Sequence, residues 1–211
     1  QQNPFALAWG LLEAGRLLGT ALVDEAGSLL EAVPDLLRGD SWLALRERCW
    51  FSQGCFEDVL RAHESRRNGI HWAVSLIDTS LLAARAANIE RRGSVATKFL
   101  GVGAGRAHDV VKAQRLIIDG RQSEALALCQ RWSEGDLYAS CLEHLASGSS
   151  TASIAAKLNE GRWRIEELAQ LHAEFSHAVY ESVDASHGLV DLLRNELTRR
   201  SDSSLDPKLA S

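Results

Sequence analysis

Proline is nearly missing. Three residues in 211, at positions 4, 34 and 207, leave the interior of the chain almost free of helix breakers. Strands lack support as well: no run of four or more residues alternates strictly while staying rich in Val, Ile, Thr and aromatics. Methionine is absent and the chain opens on Gln1, so the expectation is that an initiator Met or a longer presequence has been lost. Its four cysteines form no C-x-x-C pair, which disfavours a zinc ribbon or a thioredoxin-type site. Cys49 and Cys55 fall on different faces of a helix, and Cys129 and Cys141 stand far from both. Buried free thiols are the expected state, with a disulfide in an exported protein as the alternative.

Long uninterrupted apolar runs are lacking too. The most apolar stretch, FALAWGLLEAGRLLGTALV at 5–23, contains Glu13 and Arg16. One charge near a bilayer centre costs about 2.5–3.5 kcal/mol on insertion scales, so this segment reads as a buried helix and not a membrane span. It has no charged n-region of a signal peptide. An excess of basic residues is missing as well: the net charge of −5 argues against broad electrostatic binding to nucleic acid or anionic lipid.

What remains is a folded composition, 45% hydrophobic and 24% charged, in a chain long enough for one ordinary core. Helical periodicity dominates. Leu11, Leu18 and Leu22 start it, and stripes recur over 43–62, 72–89, 110–132, 136–146, 152–158, 163–183 and 188–198. Gly and Ser supply the punctuation at 39–41, 93–94, 101–105 and 147–150, with Ser41 and Ser150 or Thr151 placed as N-caps. The polar tail 201–211 is expected to fray. The reading is all-α: one domain over 1–200, seven to nine helices in antiparallel hairpins or an irregular bundle, and a flexible tail over 201–211.

Three segments share a pattern of helix end, glycine and second amphipathic helix, around Gly54, Gly120 and Gly161. The middle one, Gly120 through Ala125 and Leu126 to Trp132, resembles the turn and second helix of a tetratricopeptide unit over about 110–132. The resemblance implies a helical scaffold that binds other proteins. The steps from 54 to 120 and from 120 to 161 are unequal, and the first-helix signature of that family is missing.

ESRRNGIHWAV at 64–74 places four residues between Arg66 and His71. This resembles the R-x4-6-H motif of HEPN-family ribonucleases, all-helical proteins that often act as dimers. The resemblance implies metal-independent attack of an RNA 2′-hydroxyl on the adjacent phosphate, with His71 and Arg66 as catalytic residues meeting across a homodimer interface. A histidine titrating near neutral pH and a fixed cation at the phosphorane suit that chemistry. In the family a polar residue, often Asn, follows the Arg; here Arg67 does, with Asn68 next. The plain alternative is a solvated turn leading into a buried helix.

Two more segments invite function. FLGVGAGRAHDVV fits neither a dinucleotide nor a Walker fingerprint. It reads as a connection between helices with Arg106 and His108 at its rim, or as an anion pocket. STASIAAKLNEGRWRIEEL at 150–168 resembles a helix-turn-helix, in which Arg162 and Arg164 would touch DNA phosphate. Glu160, Glu166 and Glu167 oppose that contact. No metal-ligand set is complete, because Glu174 and His177 at i, i+3 have no second motif to join them. No cofactor is expected.

The leading expectation is a helical interaction protein without catalytic activity. Its partner would be another protein, with no membrane span and nucleic acid disfavoured. The HEPN-like ribonuclease and the DNA-binding regulator follow as alternatives. The cytoplasm is the favoured compartment, with export left open because the native start of the chain is absent.

Overall fold

The computed structural model describes residues 4–20, 22–35, 38–67, 76–100, 105–160, 162–178 and 183–204. Among them there are helices and turns but no strand. In order they are α1 (Pro4–Gly19), α2 (Val23–Glu31), α3 (Asp40–Ser52), α4 (Phe56–Arg67), α5 (Leu76–Ile89) and α6 (Gly93–Leu100). The second half gives α7 (Arg106–Ile118), α8 (Gln122–Cys129), α9 (Leu137–Ser147), α10 (Ala152–Asn159), α11 (Ile165–His177) and α12 (Val183–Ser204). The protein is an all-α helical bundle, and no described helix is long and apolar enough to cross a membrane.

Twelve helices stand where seven to nine were expected, and the reason is local. The apolar stripes at 43–62 and 110–132 each run through a turn. Gly54 and Gly120 adopt φ of +76° and +74°, a region that costs an L side chain about 1–2 kcal/mol. At both, the following residue donates its N–H to a carbonyl one turn back: Cys55 to Trp50 at 2.8 Å, and Arg121 to Leu116 at 2.7 Å. That bond, together with the left-handed residue, ends a helix and starts a hairpin. Gly54 is required for a second reason, since a Cβ there would lie 2.6 Å from Cε1 of His177.

The α5–α6 turn uses the same bond, Arg92 to Ala87 at 2.6 Å, but with Arg91 at φ +57° in the place of glycine. This is why α6 was not anticipated. Other differences are smaller. Gly39, not Ser41, is the N-cap of α3. At α10 the expectation holds: Thr151 is the N-cap, and Ser150 Oγ accepts from the Ala152 N–H at 3.2 Å. The last helix runs on to Ser204, into the segment expected to fray.

Hairpin partners pack on one another in chain order, and α5 sits at the centre against α3, α4, α6, α7 and α11. Its sequence explains the position: every residue from Leu82 to Asn88 is buried, and Ala83, Ala84, Ala86 and Ala87 are fully so. Such small side chains let neighbouring backbones approach closely. The larger side chains come from the neighbours. Phe51, Leu60, Ile117, Leu142, Ile154, Leu158, Leu168, Leu189 and Leu193 are completely buried, and each contributes about 1.5–3 kcal/mol of transfer free energy. A second, smaller cluster of Ala14, Leu18, Ala26, Leu30 and Cys49 lies where α1 and α2 meet α3.

The tryptophans stand at the margin of the core more than in it. Trp42, Trp50, Trp132 and Trp163 are half-buried. Trp42 donates Nε1–H to the Leu30 carbonyl at 2.8 Å and Trp132 donates to Asp109 at 2.9 Å. The side chains of Trp9 and Trp72 lie outside the described residues.

Candidate functional site

One charged residue interrupts the alanine surface of α5, and the site is built on it. Arg85 is buried, with its guanidinium carbon 4.3 Å from the centre of the Tyr138 ring and 4.8 Å from that of Phe51. A buried guanidinium needs a carboxylate, and Glu174 on α11 supplies it. Arg85 donates from Nε at 2.7 Å and its Nη2 stands 2.5 Å from the same oxygen, Oε2. The other oxygen accepts from Gln114 Nε2 on α7 at 2.9 Å and from Tyr138 OH on α9 at 2.8 Å. Asn88 completes the network by donating to Gln114 Oε1 and to the Val111 carbonyl, both at 2.9 Å. Four helices are thereby locked in register by one carboxylate and its donors.

Above this network lies a cavity of about 410 Å³. Arg85, Tyr138, Leu81 and Leu82 are among the residues at its base, and Val110 and Leu171 add apolar wall. On one side Arg48 of α3 grips Glu166 of α11 with two parallel bonds, Nε at 2.6 Å and Nη2 at 2.5 Å, and Gln170 adds a third donor to Glu166 at 3.2 Å. On the other side Arg106, the first residue of α7, has its Nε 2.5 Å from Oδ2 of Asp136. Asp136 is the N-cap of α9 and accepts the Ala139 N–H at 2.9 Å. Arg106, Gly135 and Asp136 are shared with a second, more open hollow of about 340 Å³ that continues to Arg131 and Trp132. Together the two adjoining hollows form one groove.

The segment between α10 and α11 closes the third side. Arg200 of α12 holds it, donating to the Trp163 carbonyl at 2.5 Å and to the Leu158 carbonyl at 3.0 Å. Trp163 donates its own Nε1–H to the Lys157 carbonyl at 2.9 Å, and Lys157 in turn donates to the Ser133 carbonyl beside the groove. Neither histidine nor cysteine lines the groove among the described residues.

The residues singled out from sequence are scattered. Arg66 lies in the last turn of α4, while its side chain and the whole of His71 fall outside the described residues. His63, three residues before Arg66, is turned inward: its ring meets Phe99 edge-on at 4.7 Å, and Nδ1 stands 3.8 Å from the buried Glu47. Arg162 and Arg164 are exposed and each is engaged with a carboxylate, Glu160 at 3.0 Å and Glu167 at 3.5 Å. Arg162 also lies 4.6 Å over the Trp163 ring. Around them, α10 packs on α9 whereas α11 packs on α12 and α3.

Glu174 and His177, the incomplete i, i+3 pair of the sequence, part company. Glu174 is the carboxylate of the buried network, and His177 Nδ1 is 2.8 Å from the Ala173 carbonyl with its ring against Phe56 and Gly54. Among the described residues no three or more His, Cys, Asp or Glu are grouped to hold a metal ion. All four cysteines are free, Cys55 exposed and the others buried. Burial pushes the Cys49 thiol up to about 11 and the Cys129 thiol up to about 12, and raises Cys141 as well. Such thiols are poor nucleophiles at neutral pH.

Sequence inspection missed Arg48, Arg85, Asp136 and Tyr138. One usable signal existed: a lone Arg in LLAARAANI and a lone Gln in VVKAQRLII mark polar groups on apolar helix faces, and such groups demand partners. Arg106, placed at the rim of a possible anion pocket, and Arg164, read as a phosphate contact with Glu166 and Glu167 opposing it, were noticed in the sequence and stand at the groove. Compared with protein-family models, with curated proteins and with solved structures, the chain matches none.

Proposed function

We propose that this chain is a helical interaction protein that takes a segment of another protein into the groove bounded by α3, α5, α7, α9 and α11. The observation that carries this reading is the groove's construction. Arg85 and Tyr138 of the buried network line it, and the rest of the lining mixes apolar side chains with arginines paired to carboxylates. Arginine does not titrate in proteins, so these side chains bind and position a ligand and do not transfer protons. Preorganised donors and apolar wall lower the ordering cost of association, and aromatic and arginine side chains of this kind dominate interface energetics.

The test uses the intact chain and a partner identified by affinity capture, then purified. Leu81→Asp in the groove is expected to weaken the complex at least tenfold, and Arg16→Gln on α1 to leave it unchanged. Equal affinity for both variants would remove the groove from recognition. The ribonuclease reading has its own readout. Metal-free cleavage of single-stranded RNA, abolished by His71→Ala, would make the chain an enzyme instead.

A further inference from the structure

We infer that the partner segment taken by the groove is uncharged, seating aliphatic side chains in the cavity and offering main-chain carbonyls to the arginines at its rim; this rests on the groove being the recognition surface. The argument is one of charge balance. Each charged side chain that lines the cavity is held in an ion pair. Arg48 meets Glu166, Arg85 meets Glu174 and Arg106 meets Asp136, all at 2.5 Å, and Arg164 meets Glu167 at 3.5 Å. The adjoining hollow sets two arginines, Arg106 and Arg131, beside two carboxylates, Glu134 and Asp136. A carboxylate entering this space would shed its hydration shell to face guanidiniums already neutralised, with Asp136, Glu166 and Glu167 beside them. An ammonium group would meet the same pairs from the opposite side. Neither sign gains a net attraction that offsets its desolvation, whereas an uncharged group sheds far less on entry.

What the cavity has to offer is apolar wall and hydrogen-bond donors. Leu81 and Leu82 of α5, Val110 of α7, Leu137 of α9 and Leu171 of α11 converge on one space. An aliphatic side chain placed among them takes its own surface out of water. The donors stand at the rim. Arg106 meets Asp136 through Nε and its side chain is 60% exposed; Arg164 meets Glu167 through Nη2 and is 71% exposed. A guanidinium carries more N–H groups than one carboxylate oxygen occupies. A main-chain carbonyl accepts from such groups without bringing a net charge, so the ion pairs stay intact. Apolar side chains alternating with carbonyls are what a polypeptide supplies and a plain hydrocarbon does not.

The experiment is selection of a displayed random heptapeptide library on the intact chain, followed by affinity measurement of the synthesised winners on the parent, on Leu81→Asn and on Ala44→Phe. Leu81 is half-buried at the wall, and Ala44 lines the cavity from α3, where a ring would fill the space. Melting temperatures within a few degrees of the parent establish that both variants are folded. Exchange of a winner's apolar anchor for aspartate or for lysine repeats the test on the unaltered chain. The expected result is enrichment of peptides rich in Leu, Ile, Val and Phe with no excess of either charge. Their affinity falls about tenfold in each variant and on either exchange of the anchor, and stays within about twofold between about 0.05 and 0.5 M salt. Winners biased to one sign of charge, weakened by salt and by both variants, would overturn the uncharged class while keeping the groove as the recognition surface. Winners indifferent to both variants, or no winners, would overturn both readings.

Discussion

Removing the charge of Glu174 without changing its shape tests the buried network directly. In Glu174→Gln the amide cannot satisfy every neighbour. With its oxygen toward Arg85, its NH₂ confronts the Nε2 donor of Gln114; reversed, it confronts Arg85, whose Nε stood 2.7 Å from the lost oxygen. Losing one partner of a buried ion pair costs about 3–5 kcal/mol. The rings of Phe51 and Tyr138 still face Arg85, at 4.8 and 4.3 Å. Each contributes ~0.5–2 kcal/mol in such a setting, so the lower end, about 3 kcal/mol, is expected. In a chain of this size that lowers the melting temperature by roughly 6–12 °C. Arg85→Met leaves the buried Glu174 carboxyl with only Gln114 and Tyr138 as donors, at a similar cost. In the double variant no ion remains in the network, and an imperfectly paired amide costs only ~1–3 kcal/mol. Urea denaturation followed by far-ultraviolet ellipticity gives all four corners of the cycle. The two single losses, together about 6 kcal/mol, should exceed the double loss by about 3 kcal/mol. Additivity to within about 0.5 kcal/mol would refute the claim that this pair is coupled.

Three further outcomes are expected. Arg91→Gly, which relieves the single non-glycine residue at positive φ among the described residues, should raise stability by about 0.5–1 kcal/mol, read by the same denaturation. Burial, then repulsion from Arg194 and His177, lowers the affinity of His172 for a proton, and its Nε2 is buried without a hydrogen-bond partner among the described residues. The unfolded chain therefore takes up this proton first as pH falls below the ordinary histidine value of 6.5, so the folded state loses stability there and none above it. His172→Gln should remove that part of the loss between pH 7.5 and pH 5, and a constant gap in melting temperature between parent and variant would refute it. Finally, a thiol reagent at neutral pH should label Cys55 alone in the folded protein, and Cys49, Cys129 and Cys141 only after denaturation.

Helix content was legible because scarce proline and a 3.6-residue period are properties of neighbours along the chain. Helix number was not, because ends depend on turn chemistry. Gly54 and Gly120 announce left-handed turns by their identity, whereas Arg91 adopts the same backbone with a side chain that gives no hint of it. The groove was the least legible part. Arg48 finds Glu166 across 118 positions and Arg85 finds Glu174 across 89, and nothing in either neighbourhood names the other. Arg66 and His71 were conspicuous by comparison because they are close in sequence, a closeness that short motifs reward whether or not the fold uses it.

Those long separations also set an order of events during synthesis. Arg48, Arg85, Gln114 and Tyr138 all leave the ribosome before α11 exists. Until that helix docks, the cavity has no third wall and Arg85 has no Glu174 to meet it. Domains generally acquire structure from the N-terminal side as they are made, and long-range closure comes late because its entropy cost is met before its contacts reward it. The groove is thus complete only once α11 has been made. A nascent or truncated chain ending before residue 165 lacks both Glu166 and Glu174, and with them the partners of Arg48 and Arg85.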